Sequence, residues 1–224
     1  MYVWARVCPL HPCGNTYVLC CGGVQTMALD SKSQVLMAQN GAIAPLVKLL
    51  QPGDPMVQAS AAGALWNLAA NEHNKFAIAK AGAIQPLVAM LYSDVREAQL
   101  SAAGALQNLC VNASNKKTVA AAGGIEALMM LLSDKDRHVK AKAAGALQSL
   151  AVDEDNQKKI KSLGAIPLIT KLLSSRTPEV SAPVLTPVQG CLARRCLEPL
   201  LLRGMRPPCV YACSLRQASL IYTP

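Results

Sequence analysis

The stretch AAGALWNLAANEHNKFAIAKAGAI, residues 61–84, decides the fold because it occurs three times in the chain. It returns as AAGALQNLCVNASNKKTVAAAGGI at residues 102–125 and as AAGALQSLAVDEDNQKKIKSLGAI at residues 143–166, at a constant step of 41 residues. Each copy carries a glycine, such as Gly63, inside a helical pattern, where it costs about 1 kcal/mol relative to alanine. A period of about 40–47 residues is typical of helical solenoids.

Each unit has the pattern of three helices. A short first helix follows the recurring Asn74, Asn115 and Asn156, and a glycine ends it. The second helix begins after that glycine, as in IAPLVKLL at residues 43–50, and the third and longest helix contains AAGAL. The sequence therefore predicts an all-α protein.

The residues Gly-Ala-Ile and Leu-Leu of the second helix and AAGAL-x-NL of the third resemble the armadillo repeat family over residues 31–181. The pattern is most similar to the arrays of vacuolar scaffold and U-box ligase proteins. The resemblance implies an armadillo-type right-handed superhelical solenoid with a 41-residue, three-helix repeat.

Composition divides the chain into three segments. Residues 30–181 form the repeat array, with about three full units and partial units at its ends. Residues 1–29 and 182–224 are rich in Cys and contain no lysine, and residues 182–224 are also rich in Pro and Arg. Pro183 and Pro187 also stand where AAGAL is expected, and proline breaks a helix interior. Both flanks are predicted to be disordered or to have an origin outside the repeat family.

Several partner and cofactor classes are disfavoured. The formal charge is +9, but no basic patch with interleaved aromatic residues marks a nucleic-acid surface. No apolar run reaches the roughly 18 residues of a membrane-spanning helix. Cys8 and Cys13 do not have the spacing of a zinc site, so no metal and no cofactor is expected. We expect a monomer in the cytoplasm, with the nucleus as an alternative.

Catalysis is also disfavoured, since it needs acids, bases or nucleophiles that cluster. His73, His138 and Cys110 fall at unrelated positions of the repeat, and Cys110 lies on the core side of its helix. The chain is therefore predicted not to be an enzyme.

The third helix has a core side and an opposite side. At about 100° per residue, Val57, Ala61, Leu65 and Leu68 form its core stripe. The resemblance implies that the opposite sides of successive third helices line a concave groove. The predicted partner-binding residues there are Ser60, Gly63, Trp66, Asn67, Glu97, Ser101, Gly104, Gln107, Asn108, Lys142, Gly145, Gln148 and Ser149.

Asn67, Asn108 and Ser149 form a predicted row along this groove. Resemblance to β-catenin and importin-α implies that the asparagine bonds the backbone of an extended partner peptide. An amide suits that role because it has both a donor and an acceptor. The alternative is a hydrogen bond within the asparagine's own helical turn.

Two further features of the groove have two interpretations each. Gly63, Gly104 and Gly145 either leave the groove open to a partner backbone or let neighbouring third helices pack closely. They occupy the position of the importin-α tryptophan, so the array is not importin-α-like there. Trp66 either lies exposed at the rim, where tryptophan is a common binding hot spot, or packs against an adjacent unit.

The sequence thus predicts a non-catalytic protein–protein interaction scaffold that binds a protein or an extended peptide segment along the concave groove. The alternatives are a nuclear-import-type cargo adaptor and the substrate-binding arm of a ubiquitin ligase. Import receptors need an acidic groove, whereas here Glu97 and Asp153 stand against Lys142. No U-box accompanies the array within this sequence.

Overall fold

The described part of the chain is helical throughout. The structure, a computed structural model, describes residues 14–165 and residue 168, with side chains from residue 20 onward. No strand occurs among them. The helices are α1 (Gly14–Met27), α2 (Ser31–Gln39), α3 (Ile43–Leu49), α4 (Pro55–Leu68), α5 (Glu72–Lys80), α6 (Ile84–Met90), α7 (Arg96–Leu109), α8 (Ala113–Ala121), α9 (Gly124–Leu131), α10 (Arg137–Leu150) and α11 (Glu154–Ser162).

Short polar side chains begin the first helices of the units. The side chains of Asn71, Asn112 and Asp153 each accept a hydrogen bond from a backbone N–H in the first turn of α5, α8 and α11. Such caps satisfy donors that have no partner inside the helix. These residues therefore set the starts of the first helices.

The recurring glycine ends each first helix. Gly41, Gly82, Gly123 and Gly164 have φ angles of 77°, 83°, 81° and 76°. This left-handed conformation is costly for residues with a side chain. The glycine therefore turns the chain into the second helix, as the sequence predicts.

The third helices stack on one another along the molecule. Helix α1 packs on α4, α4 on α7 and α7 on α10, and α4, α7 and α10 also pack on their own second helices. Leu65, Leu106 and Leu109 are fully buried between these layers. The alanines of each AAGAL segment are buried too, because only small side chains let neighbouring third helices approach this closely.

The recurring Asn74, Asn115 and Asn156 are buried inside the first helices, which begin two residues before them and not after them as the sequence predicts. Asn74 and Asn115 also join neighbouring units. Asn74 donates to Leu68 O (3.1 Å) at the end of α4 and to Gln34 O (3.0 Å) in the preceding first helix. Asn115 repeats both bonds one unit later. These side chains are part of the fold and belong to no exposed surface.

Helix α1 differs from the prediction for residues 1–29, because residues 14–27 are helical and pack on α4. The segment CCGGVQTM at residues 20–27 lies 41 residues before AAGALWNL, and it occupies the place of a third helix. Cys21 and Ala28 are buried against the rest of the array. The Cys-rich composition hid this helix, since cysteine can fill a small apolar core position.

The other predicted boundaries lie largely outside the described residues. Residues 1–13, the predicted end of the array at residue 181 and the flank at residues 182–224 all fall there. Within the described part, no helix combines the length and apolar character needed to span a membrane.

Candidate functional site

The predicted groove residues all lie on one side of the stacked third helices, and we call this surface the third-helix face. Its glycines are buried, Glu97 is exposed and the remaining members are half-buried. The half-buried members are Ser60, Trp66, Asn67, Ser101, Gln107, Asn108, Lys142, Gln148 and Ser149.

The glycines of this face lie under side chains of the preceding unit. A Cβ atom placed on Gly104 would lie 2.6 Å from Cδ2 of Trp66, and one on Gly145 would lie 2.5 Å from Nε2 of Gln107. Gly63 is covered in the same way by Gln25. The structure thus supports close packing between third helices, and the interpretation of an open groove wall at these glycines is wrong.

Trp66 packs against adjacent units and does not project from the rim. Its indole ring lies on Gly104 of α7, and Nζ of Lys142 on α10 lies 4.5 Å from the ring centroid. This one side chain therefore connects three successive third helices. A cation at this distance over an indole face is attracted by the negative potential of the ring.

The asparagines of the third-helix face donate to the neighbouring third helix. Nδ2 of Asn108 donates to Trp66 O (3.1 Å), and Nδ2 of Asn67 donates to Gln25 O (2.7 Å). The sequence pattern suggested a partner's backbone or the asparagine's own turn as the acceptor, and these bonds go to neither. One of the two N–H donors of each amide is therefore used within the protein.

The end of the helix explains why these carbonyls need a donor. The last carbonyls of any helix lack partners within it. At the end of α4, the N–H of Ala69 donates to Leu65 O and that of Ala70 donates to Asn67 O. Neither of these N–H groups donates to Trp66 O, which lies between the two acceptors in sequence. Asn108 supplies the missing donor. Each amide also has an oxygen that no described residue bonds.

Ser149 breaks this row. Its Oγ donates to Gly145 O, an acceptor in the same helix, at 3.2 Å. Ser149 thus makes the bond within its own turn that was the alternative for the asparagines. Gln107 O, which corresponds to Trp66 O, receives from the described residues no side-chain bond comparable to that from Asn108.

The charges of the face are few. Burial lowers the pKa of Lys142 from its usual value. At the starts of two third helices, Arg96 of α7 pairs with Asp136, the N-cap residue of α10, at 3.2 Å. Backbone donation from His138 lowers the pKa of Asp136. The face is therefore nearly neutral, with one half-buried lysine, Lys142 on α10.

Clustered metal ligands or a reactive thiol in residues 14–165 would allow metal or nucleophile chemistry. No three His, Cys, Asp or Glu side chains within this range group together as metal ligands would. Cys110 is buried, and burial raises the pKa of its thiol to about 12, so it stays protonated at neutral pH. A protonated thiol is a poor nucleophile.

One residue of this face, Gln25 on α1, was not among the residues predicted from the sequence. Its side chain covers Gly63, and its backbone carbonyl accepts the hydrogen bond from the side chain of Asn67. The available signal was its position 41 residues before Trp66.

Comparison with protein families identifies the repeats. Residues 30–70, 71–111 and 112–152 each match the Armadillo/beta-catenin-like repeat. A comparison with curated proteins gave no match.

Solved structures show the same architecture. The chain is similar to an engineered protein from a structural genomics consortium, with a TM-score of 0.76, 29% identity and coverage of 80% of this chain and 76% of the other. It is also similar to a designed armadillo repeat protein in complex with the peptide (KR)4, with a TM-score of 0.74, 25% identity and coverage of 80% and 77%. A computationally designed armadillo protein for modular peptide recognition has a TM-score of 0.73, 26% identity and coverage of 79% and 76%.

Proposed function

Because the chain belongs to the armadillo repeat family, we propose that it is a non-catalytic scaffold whose third-helix face binds an extended segment of a partner protein. Two designed armadillo proteins of similar structure are described as a peptide complex and as made for peptide recognition. A solenoid suits this task because stacked units present one long surface with a regular repeat.

One observation carries the proposal: third helices present equivalent residues at a constant step along one face. Trp66 and Gln107 lie over the glycines of the next third helix, Gly104 and Gly145, so the same positions meet at each step along the face. The amide oxygens of Asn67 and Asn108, to which no described residue donates, are acceptors for the partner's backbone N–H groups, whereas one N–H of each amide is used inside the protein.

The import-adaptor alternative has less support on this face. A receptor for basic signals needs carboxylates near its groove, because charge complementarity sets specificity. Here Glu97 is the one carboxylate among the predicted groove residues, and Lys142 lies half-buried in the same face. We therefore expect the full chain to bind (KR)4 weakly or not at all.

The test compares the same substitution on two surfaces. Peptides are first selected from a random dodecapeptide phage library on the full chain and then titrated by fluorescence polarisation. Ser101→Arg places a long side chain on the third-helix face, whereas Ser114→Arg places it on the exposed start of α8.

We expect Ser101→Arg to weaken peptide binding about tenfold or more, because the arginine occupies the space of the bound peptide. Ser114→Arg should bind like the unmodified chain, and thermal melts of both variants control for folding. Equal affinities for the two variants would contradict binding on the third-helix face.

A further inference from the structure

Lys142 is an exception in its row of the third-helix face. The equivalent positions in the two preceding units are Ser60 and Ser101. Lys142 is half-buried, and its Nζ lies over the ring of Trp66. The contact with Trp66 holds the ammonium group on the surface of the face and prevents it from extending freely into solvent.

The charged groups around Lys142 do not neutralise it. Among the described residues it forms no ion pair, and burial is what lowers its pKa, with no contribution from a carboxylate. Glu97 of α7 is exposed, and His138 lies one turn earlier on α10. Helix α4 contributes the uncharged Trp66 to the surroundings of Lys142.

A half-buried cation without a counterion is costly, because desolvation penalises a charge that nothing balances. The contact with the indole ring recovers part of that cost. A carboxylate of a bound partner would offset more of this desolvation cost, since a charge-assisted hydrogen bond is stronger than a neutral one. Charge complementarity therefore favours an acidic occupant next to Lys142.

We propose that Lys142, held over Trp66, is the position of the third-helix face that binds a carboxylate side chain of an acidic residue in the extended partner. This inference rests on the proposed function, and it adds the chemical class of the partner segment. Ser60 and Ser101 place no charge on the corresponding positions, so the carboxylate is expected at one place in the segment.

The experiment uses the peptides selected on the full chain from the random dodecapeptide library. A second selection uses the full-length variant Lys142→Met, which keeps an unbranched side chain over Trp66 and removes the charge. Each acidic peptide is also synthesised with Asp→Asn or Glu→Gln at the enriched position. The four combinations of peptide and protein are titrated.

Peptides selected on the unmodified chain should share an acidic residue at one position. An acidic peptide should bind the Lys142→Met variant about tenfold more weakly than the unmodified chain, which is the size expected for one charge-assisted hydrogen bond. The amide peptide should bind both proteins equally, which also shows that the variant is folded.

Two results would overturn the inference: selected peptides without a shared acidic residue, or an acidic peptide that binds Lys142→Met as tightly as the unmodified chain. If the selected peptides nevertheless bind the Ser101→Arg variant more weakly than the unmodified chain, only the assignment of Lys142 fails and the proposed function stands. If no peptide is enriched on the unmodified chain, both proposals fail.

Discussion

The junction between α4 and α7 and the junction between α7 and α10 use the same positions with different residues. At the first, the rigid ring of Trp66 covers Gly104 and Asn108 bonds Trp66 O. At the second, the flexible side chain of Gln107 covers Gly145, and Ser149 bonds within its own helix.

This difference shows that the repeat preserves backbone geometry while the strength of each junction varies. In a solenoid, stability is approximately a sum of unit terms and nearest-neighbour terms. The α4–α7 junction has an aromatic contact and a hydrogen bond between units, whereas the α7–α10 junction has an amide contact and the partly exposed pair of Arg96 with Asp136. We infer that the second junction is the weaker one.

The largest effect is expected from truncating the residue that covers each glycine. Trp66→Ala should lower the free energy of unfolding by about 2–4 kcal/mol, because a large apolar contact is lost. Gln107→Ala at the equivalent position should cost less than about 1 kcal/mol. Urea unfolding of both variants measures the difference. Equal losses would mean that Trp66 contributes no more than a half-exposed amide.

The glycines provide the next comparison. Gly104→Ala should cost about 1–2 kcal/mol, because overpacking against the ring of Trp66 exceeds the gain in helix propensity. In Gly145→Ala the added methyl meets the end of the flexible Gln107 side chain, which can move. That variant should be neutral or more stable by up to about 1 kcal/mol. A loss at Gly145 as large as that at Gly104 would contradict this difference.

The hydrogen bond between α4 and α7 can be removed alone. Asn108→Ala should lower the free energy of unfolding by about 1–2 kcal/mol, because it leaves Trp66 O without its side-chain donor. Ser149→Ala, which removes only a bond within α10, is the control and should cost less. Thermal melts that show the same loss for both variants would argue against a role for the inter-unit bond.

The smallest effect is a gain at the weaker junction. Ser149→Asn gives α10 an asparagine at the position of Asn108 in α7. The new amide should therefore donate to Gln107 O. We expect a stabilisation of about 0.5–1.5 kcal/mol, measured by urea unfolding. No gain would mean that the two junctions differ in backbone geometry as well as in side chains.

Much of the fold follows from the sequence because it depends on local rules. The left-handed glycine at Gly82, which ends a first helix, is decided within a few residues, and the 41-residue period repeats that local signal along the chain. Helix α1 was not predicted, since only its register relative to α4 reveals it. The residues Cys20 and Cys21 stand where the repeats have alanine.

The candidate site was predicted less completely, because contacts between units decide it. A helical wheel places Trp66 and Asn67 on the side of α4 away from its core stripe, but it does not show which groups of the next helix they contact. Gly104 makes room for the ring, and Asn108 donates to Trp66 O, which has no donor within its own helix. Both depend on how the third helices stack, which is a property of the assembled array.

The central claim is that Trp66 and Gly104 form one contact between third helices, and a double-mutant cycle tests it most directly. The free energy of unfolding is measured by urea for the unmodified chain, Trp66→Ala, Gly104→Ala and the double variant. We predict that Gly104→Ala destabilises the unmodified chain but stabilises the Trp66→Ala variant by up to about 1 kcal/mol, since only helix propensity remains once the ring is gone. If Gly104→Ala has the same effect in both backgrounds, the two residues are independent and the account of the junction is wrong.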